Sequence, residues 1–402
     1  MPAIVKFSKP TNDIQLAVHG QCTFLFSLSN TTELSLLNKD GSEGFRIAVS
    51  PKDGFSVKRI QISDSFPSQI TVSTENGTKS GAYFWFSLDS QNQCLQGGIG
   101  EPRSETVVYK YQWVQDKLWE ANKIFLESLT HIMVDSSVTP LRLLKNPITT
   151  HIPLKIKDTS AITMVDVAQS EFLPNAALFP SAQILYNSIS GPKFTLNTPD
   201  FPDFSDAIEY SINTEGCWCN TRLKEKASEF GKEEPLETYL RITLGQNNGE
   251  SPGIPYVMEI WPAGHYSPIH NHSGANAIIR VLAGQIQVSL FPFLCDEPAT
   301  VKPFGIADFV QEDITWLSPS LNQVHQLKNT QKSTTCITIQ CYMYDGDDTQ
   351  HYDYFDYLGD NNSKFQYEPD SDMEFLKFKE TIRKEWVSHK VLNARPKWWC
   401  MG

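Results

Sequence analysis

Short runs of β-branched and aromatic residues, separated by turn-forming residues, constrain the fold of this chain more than any other feature. In the first part of the chain these runs include CTFLFSLS, GFRIAVS, FSVKRIQIS, GAYFWFSL and SETVVYKYQWV. Such residues favour strands, and regular turn signals between them are typical of an antiparallel sandwich. We therefore predict a β-sandwich over residues 14–113.

The strand pattern returns later, after a region with helical periodicity at 205–230. From residue 239 onward the runs are YLRITLGQ, PYVMEIWPAG, NAIIRVLAGQIQVSLFPF and TTCITIQCYMY. Between the two β-rich regions, LNTPDFPDF (196–204) has the proline-rich, acidic composition of a linker. We accordingly expect two domains, residues 1–195 and residues 196–402. Further helices are predicted at KLWEANKIFLESLTHIM and DMEFLKFKETIRKEWVSHKVL.

Charge and the N-terminal sequence argue against several classes of partner. The chain has 402 residues, of which 46 are acidic and 34 basic, and this formal charge of −12 argues against nucleic acid or an anionic membrane. The start, MPAIVKFSKP, lacks the apolar core of a secretion signal, and no segment approaches about 18 uninterrupted apolar residues. We expect a cytoplasmic protein that binds neither nucleic acid nor a membrane. The acidic, aromatic run at 345–362 is expected to be a solvated loop.

The run GHYSPIHNHSGANAIIRVLAGQ (264–285) contains two histidines one residue apart, between two glycines. Side chains alternate along a strand, so His270 and His272 would point to one face and could bind one metal ion. A third histidine, His325, lies on a later apparent strand. Spacing alone is also compatible with histidines that are merely exposed or hydrogen-bonded.

This pattern resembles that of the cupin superfamily. Four residues match the first cupin motif: Gly264, His270, His272 and Gly284. Ala277 stands where that motif usually has glutamate, while His325 and Asn329 match the second motif. The resemblance implies a double-stranded β-helix, or jelly-roll barrel, with flanking helices in the C-terminal half. Without the carboxylate, three neutral imidazoles leave a divalent ion its full positive charge, which suits an anionic substrate such as a thiolate.

Within the cupins, the C-terminal half resembles the cysteine dioxygenase family of thiol dioxygenases. The resemblance implies that His270, His272 and His325 hold Fe(II), and that a small thiol and O2 are the substrates. In the family, a Tyr-x-Arg sequence precedes the histidine pair and its arginine binds the substrate carboxylate; the matching residues are Tyr239 and Arg241. A guanidinium suits this role because it is a planar fork of donors that stays charged.

The other candidate catalytic residues lie on a late strand and correspond to the family's Ser-x-His-x-Tyr series: Thr338, Gln340 and Tyr342. Gln340 replaces a histidine and can accept or donate a hydrogen bond, but it cannot carry a proton. The resemblance implies that Tyr342, with Tyr239 nearby, donates a hydrogen bond to the substrate carboxylate or to dioxygen. Taken singly, Arg241 is better explained by an ordinary ion pair, and Tyr342 by a core aromatic; it is their joint appearance at family spacing that favours a site.

The resemblance implies an enzyme that oxidises L-cysteine, or a related small carboxylate-bearing thiol, to its sulfinic acid. The alternative is a non-catalytic or altered-function metal-binding cupin fused to a binding module, with Gln340 as the sign of a lost hydrogen-bond network. Three imidazoles also bind nickel or zinc, so the metal identity stays open. The N-terminal region resembles the farnesoic acid O-methyltransferase-like domain through FWFS (84–87) and GGIG (97–100). That resemblance implies a module that binds an unknown ligand or protein, and a purely structural sandwich fits the same residues.

Overall fold

The computed structural model describes residues 4–6, 13–27, 31–50, 54–62, 64–69, 83–134, 142–148, 151–247, 254–294, 302–344, 355–359 and 363–394. The chain divides into two compact units. One comprises Met1–Ile152 and Phe291–Gly305, and the other Pro153–Leu290 and Ile306–Gly402. Among the described residues, no helix is both long and apolar enough to cross a membrane.

The first unit contains two antiparallel sheets. Its strands are β1 (Ile4–Lys6), β2 (Asp13–Gln15), β3 (Gln21–Ser27), β4 (Thr32–Asn38), β5 (Gly44–Ser50), β6 (Gly54–Arg59), β7 (Tyr83–Asp89), β8 (Cys94–Ile99), β9 (Val107–Gln112), β10 (Leu129–Val134) and β11 (Arg142–Leu144). One sheet has the order β1-β11-β3-β7-β8-β9 and the other β2-β10-β4-β5-β6. The predicted sandwich is confirmed, and β10 and β11 extend it beyond residue 113.

The FWFS and GGIG sequences of the first unit have a packing role. They lie on the paired strands β7 and β8, where Trp85 is the register partner of Gly98. The fully buried indole of Trp85 covers Gly98 so closely that an added Cβ would lie 2.3 Å from the ring. A glycine is therefore required beneath this tryptophan.

Among the described residues of the first unit there is one α-helix, α1 (Trp119–Glu127). The sequence predicted a helix from residue 117 to 133, and its second half is wrong because Leu129–Val134 forms β10. This segment, LTHIMV, contains three β-branched residues, and it pairs with both β2 and β4. Sheet pairing thus outweighs the local helical pattern.

The second unit contains the remaining elements. Its strands are β12 (Lys155–Lys157), β13 (Phe172–Pro174), β14 (Leu240–Asn247), β15 (Ile254–Trp261), β16 (Ile269–His270), β17 (Asn276–Ala283), β18 (Gln285–Phe291), β19 (Gly305–Val310), β20 (Ile314–Leu317), β21 (Val324–Lys328), β22 (Cys336–Met343), β23 (Phe355–Leu358), β24 (Lys364–Tyr367) and β25 (Met373–Glu374). Its helices are α2 (Met164–Gln169), α3 (Pro180–Ile189), α4 (Phe204–Asn213), α5 (Trp218–Glu225) and α6 (Phe375–Ala394).

Eight strands of the second unit form a jelly-roll barrel. One sheet includes the order β20-β17-β22-β15 and the other the order β19-β18-β21-β16. Strands that follow one another in sequence therefore mostly alternate between the sheets, as in cupin barrels. The predicted fold class, mainly β with a sandwich and a cupin barrel flanked by helices, is confirmed.

Gly284 lies at one crossing between the two barrel sheets. It connects β17 to β18 with a φ of +75°, a backbone conformation that L side chains rarely adopt. An added Cβ would also lie 2.5 Å from the Thr335 carbonyl oxygen. This close approach gives the second glycine of the sequence motif a structural reason.

The division between the units differs from the boundary expected at 195/196. Residues 153–195 belong with the second unit because β12 pairs with β20, extending the barrel sheet. The acidic, proline-rich stretch at 196–204 is not a linker, because it packs within the second unit. Phe201 and Phe204 are buried, and the ring centroid of Phe204 lies 6.0 Å from that of Phe378 in α6.

Part of the acidic run 345–362 is ordered structure rather than a solvated loop. Residues 355–358 form β23, which pairs with both β16 and β24, and Phe355 and Tyr357 are buried. Residues 345–354 and 360–362 lie outside the described residues. The alternation of aromatic and polar residues in FDYL (355–358) therefore indicated an amphipathic strand, with Phe355 and Tyr357 on its buried face.

Candidate metal centre

Three histidines converge on one point inside the barrel. His270 on β16 is the register partner of His325 on β21, so strand pairing brings these two rings together. β16 ends at His270, and His272 follows in the next turn, with its ring centroid 5.0 Å from that of His270. The possible ligand atoms of all three lie within 4.8 Å of one another, and the Nε2 atoms of His272 and His325 are 3.2 Å apart.

Hydrogen bonds to backbone carbonyls orient two of the rings. The Nδ1 atom of His270 lies 3.0 Å from the Pro268 carbonyl oxygen, and that of His325 lies 3.1 Å from the Asn322 carbonyl oxygen. Because a carbonyl only accepts, each Nδ1 must carry the hydrogen, which leaves each Nε2 lone pair available for a metal.

The electrostatic environment also keeps these histidines neutral. Burial lowers the pKa of His270 to about 3 and that of His325 to about 4, and it holds the pKa of His272 well below its usual value. Neutral imidazole is the form that binds a metal ion. Nitrogen donors of this kind fit iron, zinc or nickel, so the residues present can hold a divalent metal.

The histidines lie beside a small, partly enclosed cavity. Its lining residues are Tyr239, Arg241, Glu259, Trp261, His270, His272, His325, Leu327, Gln340, Tyr342 and Phe355. The structure thus brings four of the five candidate catalytic residues to the cavity. The fifth, Thr338, is fully buried behind the lining, where its hydroxyl is 3.2 Å from Trp261 Nε1 and 3.5 Å from Gln340 Nε2.

Tyr239 forms part of an aromatic wall of the cavity. Its ring stacks on Trp261 with centroids 4.2 Å apart and an interplanar angle of 19°. Burial, together with the Glu259 carboxylate, raises the pKa of Tyr239 well above its usual value, so the phenol keeps its proton. Tyr239 can therefore act in this site as a hydrogen-bonding phenol and a hydrophobic wall.

Arg241 is already paired with a buried carboxylate. It is the register partner of Glu259 across β14 and β15, and its Nη1 atom lies 3.4 Å from Glu259 Oε1. The two side chains are only 11% and 4% exposed. Sequence reasoning missed Glu259, although a single acidic residue in the apolar strand PYVMEIW was a signal, because Val257 and Trp261 share its face.

Glu259 also connects to the late strand. Its carboxylate accepts a hydrogen bond from Gln340 Nε2, and the hydroxyl of Tyr342 donates to Gln340 Oε1. When Glu259 is ionised, these directions follow from chemistry, because a carboxylate can only accept and the amide must then present its oxygen to Tyr342. In this arrangement the hydroxyl hydrogen of Tyr342 is used within the protein, and its donation to a ligand stays a prediction.

The protonation of this chain of groups depends on Glu259. Burial raises the pKa of the Glu259 carboxyl to about 7, against the opposing effects of Arg241 and Lys226. Burial also raises the pKa of Tyr342, which therefore stays protonated. Above neutral pH the chain thus consists of a carboxylate, an amide and a phenol in fixed order.

Two further residues bear on the expected chemistry. Phe355 on β23 was missed in the sequence, and its ring centroid lies 5.0 Å from that of His270 and 5.8 Å from that of His272. It covers the histidines with an apolar surface. Ala277, which replaces the usual motif glutamate, is fully buried and is the register partner of Tyr342, so it offers no ligand to a metal.

Asp372 fixes the backbone of Arg241 through hydrogen bonds. Its Oδ2 atom accepts from the Arg241 backbone N–H at 2.7 Å and from Lys226 Nζ at 3.0 Å. Its other oxygen accepts from Arg222 Nε at 2.9 Å. These bonds attach the start of β14 to α5 and to the segment before α6, and so fix the backbone that carries Arg241.

Comparisons with known proteins give partial matches. No protein-family model matches the chain. Over 105 residues it is 23% identical to cysteine dioxygenase type 1 of Danio rerio, which covers 26% of this chain and 50% of that protein. Similar solved structures include a cupin superfamily protein from Desulfitobacterium hafniense, at 13% identity over 27% of this chain and 79% of the other, with a TM-score of 0.20. Oxalate oxidase in complex with the substrate analogue glycolate is 15% identical over 26% and 51%, with a TM-score of 0.21. The chain spans about half the length of the curated relative.

Proposed function

We propose that the protein is an iron(II)-dependent thiol dioxygenase that oxidises L-cysteine, or a related small thiol, to its sulfinic acid. The observation that carries the proposal is the convergence of three neutral imidazoles beside a cavity that contains an arginine. The partial match to a cysteine dioxygenase supports the same reaction class. One thiol and one O2 balance to one sulfinic acid, since both oxygen atoms end on sulfur, so no further reductant is needed.

His270, His272 and His325 would hold the iron, which when bound supplies the redox chemistry and favours the thiolate over the thiol. The hydrogen bonds from Nδ1 to backbone carbonyls keep two of the imidazoles oriented. Tyr239, with its stacked neighbour Trp261, forms an apolar wall that limits access of water.

Arg241 and the late strand supply the polar contacts in this proposal. Arg241 keeps donors that Glu259 does not use and would orient the carboxylate of a substrate such as L-cysteine. Gln340 holds the hydroxyl of Tyr342 in one orientation. Thr338 acts on the cavity through its contacts with Trp261 and Gln340.

Oxygen uptake by the iron-loaded protein with L-cysteine, coupled to mass detection of the sulfinate, tests this function. We expect stoichiometric iron and sulfinate in the wild type, and loss of both in His270→Ala. His19→Ala, which changes an exposed histidine of the first unit, is the matched control and should retain both. Stoichiometric iron without oxygen uptake on L-cysteine, cysteamine or 3-mercaptopropionate would instead support the alternative, a metal-binding cupin of different function.

A further inference from the structure

We infer that Glu259 determines the substrate class of this site. It makes the cavity favour a small thiol that carries an amino group over a thiol whose only other polar group is a carboxylate. The inference rests on the proposed function for the reaction itself. The observations that carry it concern residues other than the three histidines.

The first observation is the charge balance of the cavity wall. Among the residues that line the cavity, Arg241 is the one side chain with a permanent positive charge, and the buried carboxylate of Glu259 balances that charge. The lysine behind this pair, Lys226, is itself balanced by Glu229 at 3.2 Å and Asp372 at 3.0 Å. A ligand carboxylate that binds the remaining donors of Arg241 would therefore also be repelled by Glu259 in this buried site, where charges are poorly screened, and would bind less tightly than beside an uncompensated arginine.

The second observation is the direction of the hydrogen bonds. With Glu259 ionised, Gln340 donates to it, and Tyr342 donates its only hydrogen to Gln340. The Tyr342 oxygen can then only accept a hydrogen bond from a ligand in the cavity. A carboxylate has no hydrogen to offer, whereas an amine or ammonium group has two or three.

Both observations depend on the same carboxylate. Glu259 supplies the negative charge that balances Arg241, and it also fixes the amide of Gln340 in the orientation that makes Tyr342 an acceptor. Its side chain is 4% exposed, less than that of Arg241, so it acts mainly through its neighbours. Glu259 is accordingly a positioning and specificity-determining residue.

Three small thiols separate the contributions of the two polar groups. Cysteamine carries only the amine, 3-mercaptopropionate only the carboxylate, and L-cysteine both. Zinc-loaded protein is used because zinc has no redox chemistry, so calorimetry gives a dissociation constant for each thiol without turnover. At about pH 8, where Glu259 is ionised, cysteamine and L-cysteine should bind at least about tenfold more tightly than 3-mercaptopropionate.

Glu259→Gln should change this preference by removing the negative charge. We expect the ratio of the cysteamine and 3-mercaptopropionate dissociation constants to shift by about tenfold or more toward 3-mercaptopropionate. Glu312→Gln is the matched control, since Glu312 also pairs with an arginine, Arg280, but does not line this cavity. Its ratio should equal that of the wild type.

Loss of folding in Glu259→Gln would not remove the test. The double variant Arg241→Met with Glu259→Leu leaves no unpaired charge, and its preference between the two thiols should nearly disappear. A wild type that binds 3-mercaptopropionate as tightly as cysteamine would overturn the inference. An unchanged ratio in Glu259→Gln, or an unchanged preference in the double variant, would do the same.

Failure of the inference and failure of the proposed function are distinguishable. An aminothiol preference in the zinc-loaded protein, with no oxygen uptake by the iron-loaded protein, supports the inference and contradicts the proposed reaction. Oxygen uptake without the preference overturns the inference alone. If no thiol binds the zinc-loaded protein, the inference is overturned, and oxygen uptake by the iron-loaded protein still decides the proposed function.

Discussion

Replacing Gln340 by leucine tests whether the chain of hydrogen bonds between Glu259 and Tyr342 contributes to stability. Gln340 is 2% exposed and bonds to both neighbours, so leucine leaves a carboxylate and a phenol each without one partner. A buried polar group that loses its partner costs about 1–3 kcal/mol, which gives about 2–6 kcal/mol for the two. Burial of the leucine side chain returns about 1–2 kcal/mol.

The net expectation is a loss of about 2 kcal/mol in the free energy of unfolding, because Arg241 still pairs with Glu259 and Tyr342 can bond to water in the cavity. Urea unfolding of the metal-free protein at about pH 8 measures it. Gln287→Leu is the matched control, since the Nε2 atom of that glutamine bonds to Asp308 Oδ1 at the exposed surface, at 3.2 Å. It should change stability by less than about 0.5 kcal/mol. A Gln340→Leu variant as stable as this control would refute the reasoning.

Two further predictions concern Glu259 and the first unit. The pKa of Glu259 is raised from 4.5 to about 7, so its contribution to stability is present in full below 4.5 and is lost as the pH rises through about 7. Between about pH 4.5 and pH 7, the unfolding free energy of the wild type should fall relative to that of Glu259→Gln by up to about 1.4 kcal/mol per pH unit. Urea unfolding in which the difference between the two proteins stays constant over this range would contradict the prediction. Gly98→Ala should cost about 1–3 kcal/mol, because its Cβ would meet the Trp85 ring at 2.3 Å. Gly191→Ala is the control in thermal unfolding, because a Cβ added at Gly191 would have no neighbouring atom within 4 Å. Equal stability of the two variants would count against the packing of Trp85 on Gly98.

The strand content of both units could be predicted from the sequence because alternating patterns and turn residues are local signals. The membership of residues 153–195 could not, since it depends on the pairing of β12 with β20, more than a hundred residues further along the chain. The same applies to residues 355–358, whose burial arises from pairing with β16. Elements whose partners are distant carry little evidence of their position in their own composition.

The candidate site divides in the same way. His270 and His272 were predictable from their spacing, and His325 from a motif, because each carries its chemistry in its own side chain. Glu259 was not, because its importance comes from register. Pairing of β14 with β15 places it opposite Arg241, and pairing of β15 with β22 brings its carboxylate to Gln340.

This register gives a physical reason for the glutamine at position 340. A side chain between a carboxylate and a phenol must donate to the first and accept from the second, and one amide group does both with neutral, fixed ends. A neutral imidazole also has one donor and one acceptor, but it can take up a proton beside a carboxylate and would then donate to both neighbours. Gln340 therefore fixes a direction of hydrogen bonding that an imidazole at this position could reverse. The carboxylate of Glu259 thus explains why position 340 holds a glutamine. To turn the Tyr342 hydroxyl from a hydrogen-bond acceptor for ligands into a donor, Gln340 and Glu259 should therefore be substituted together.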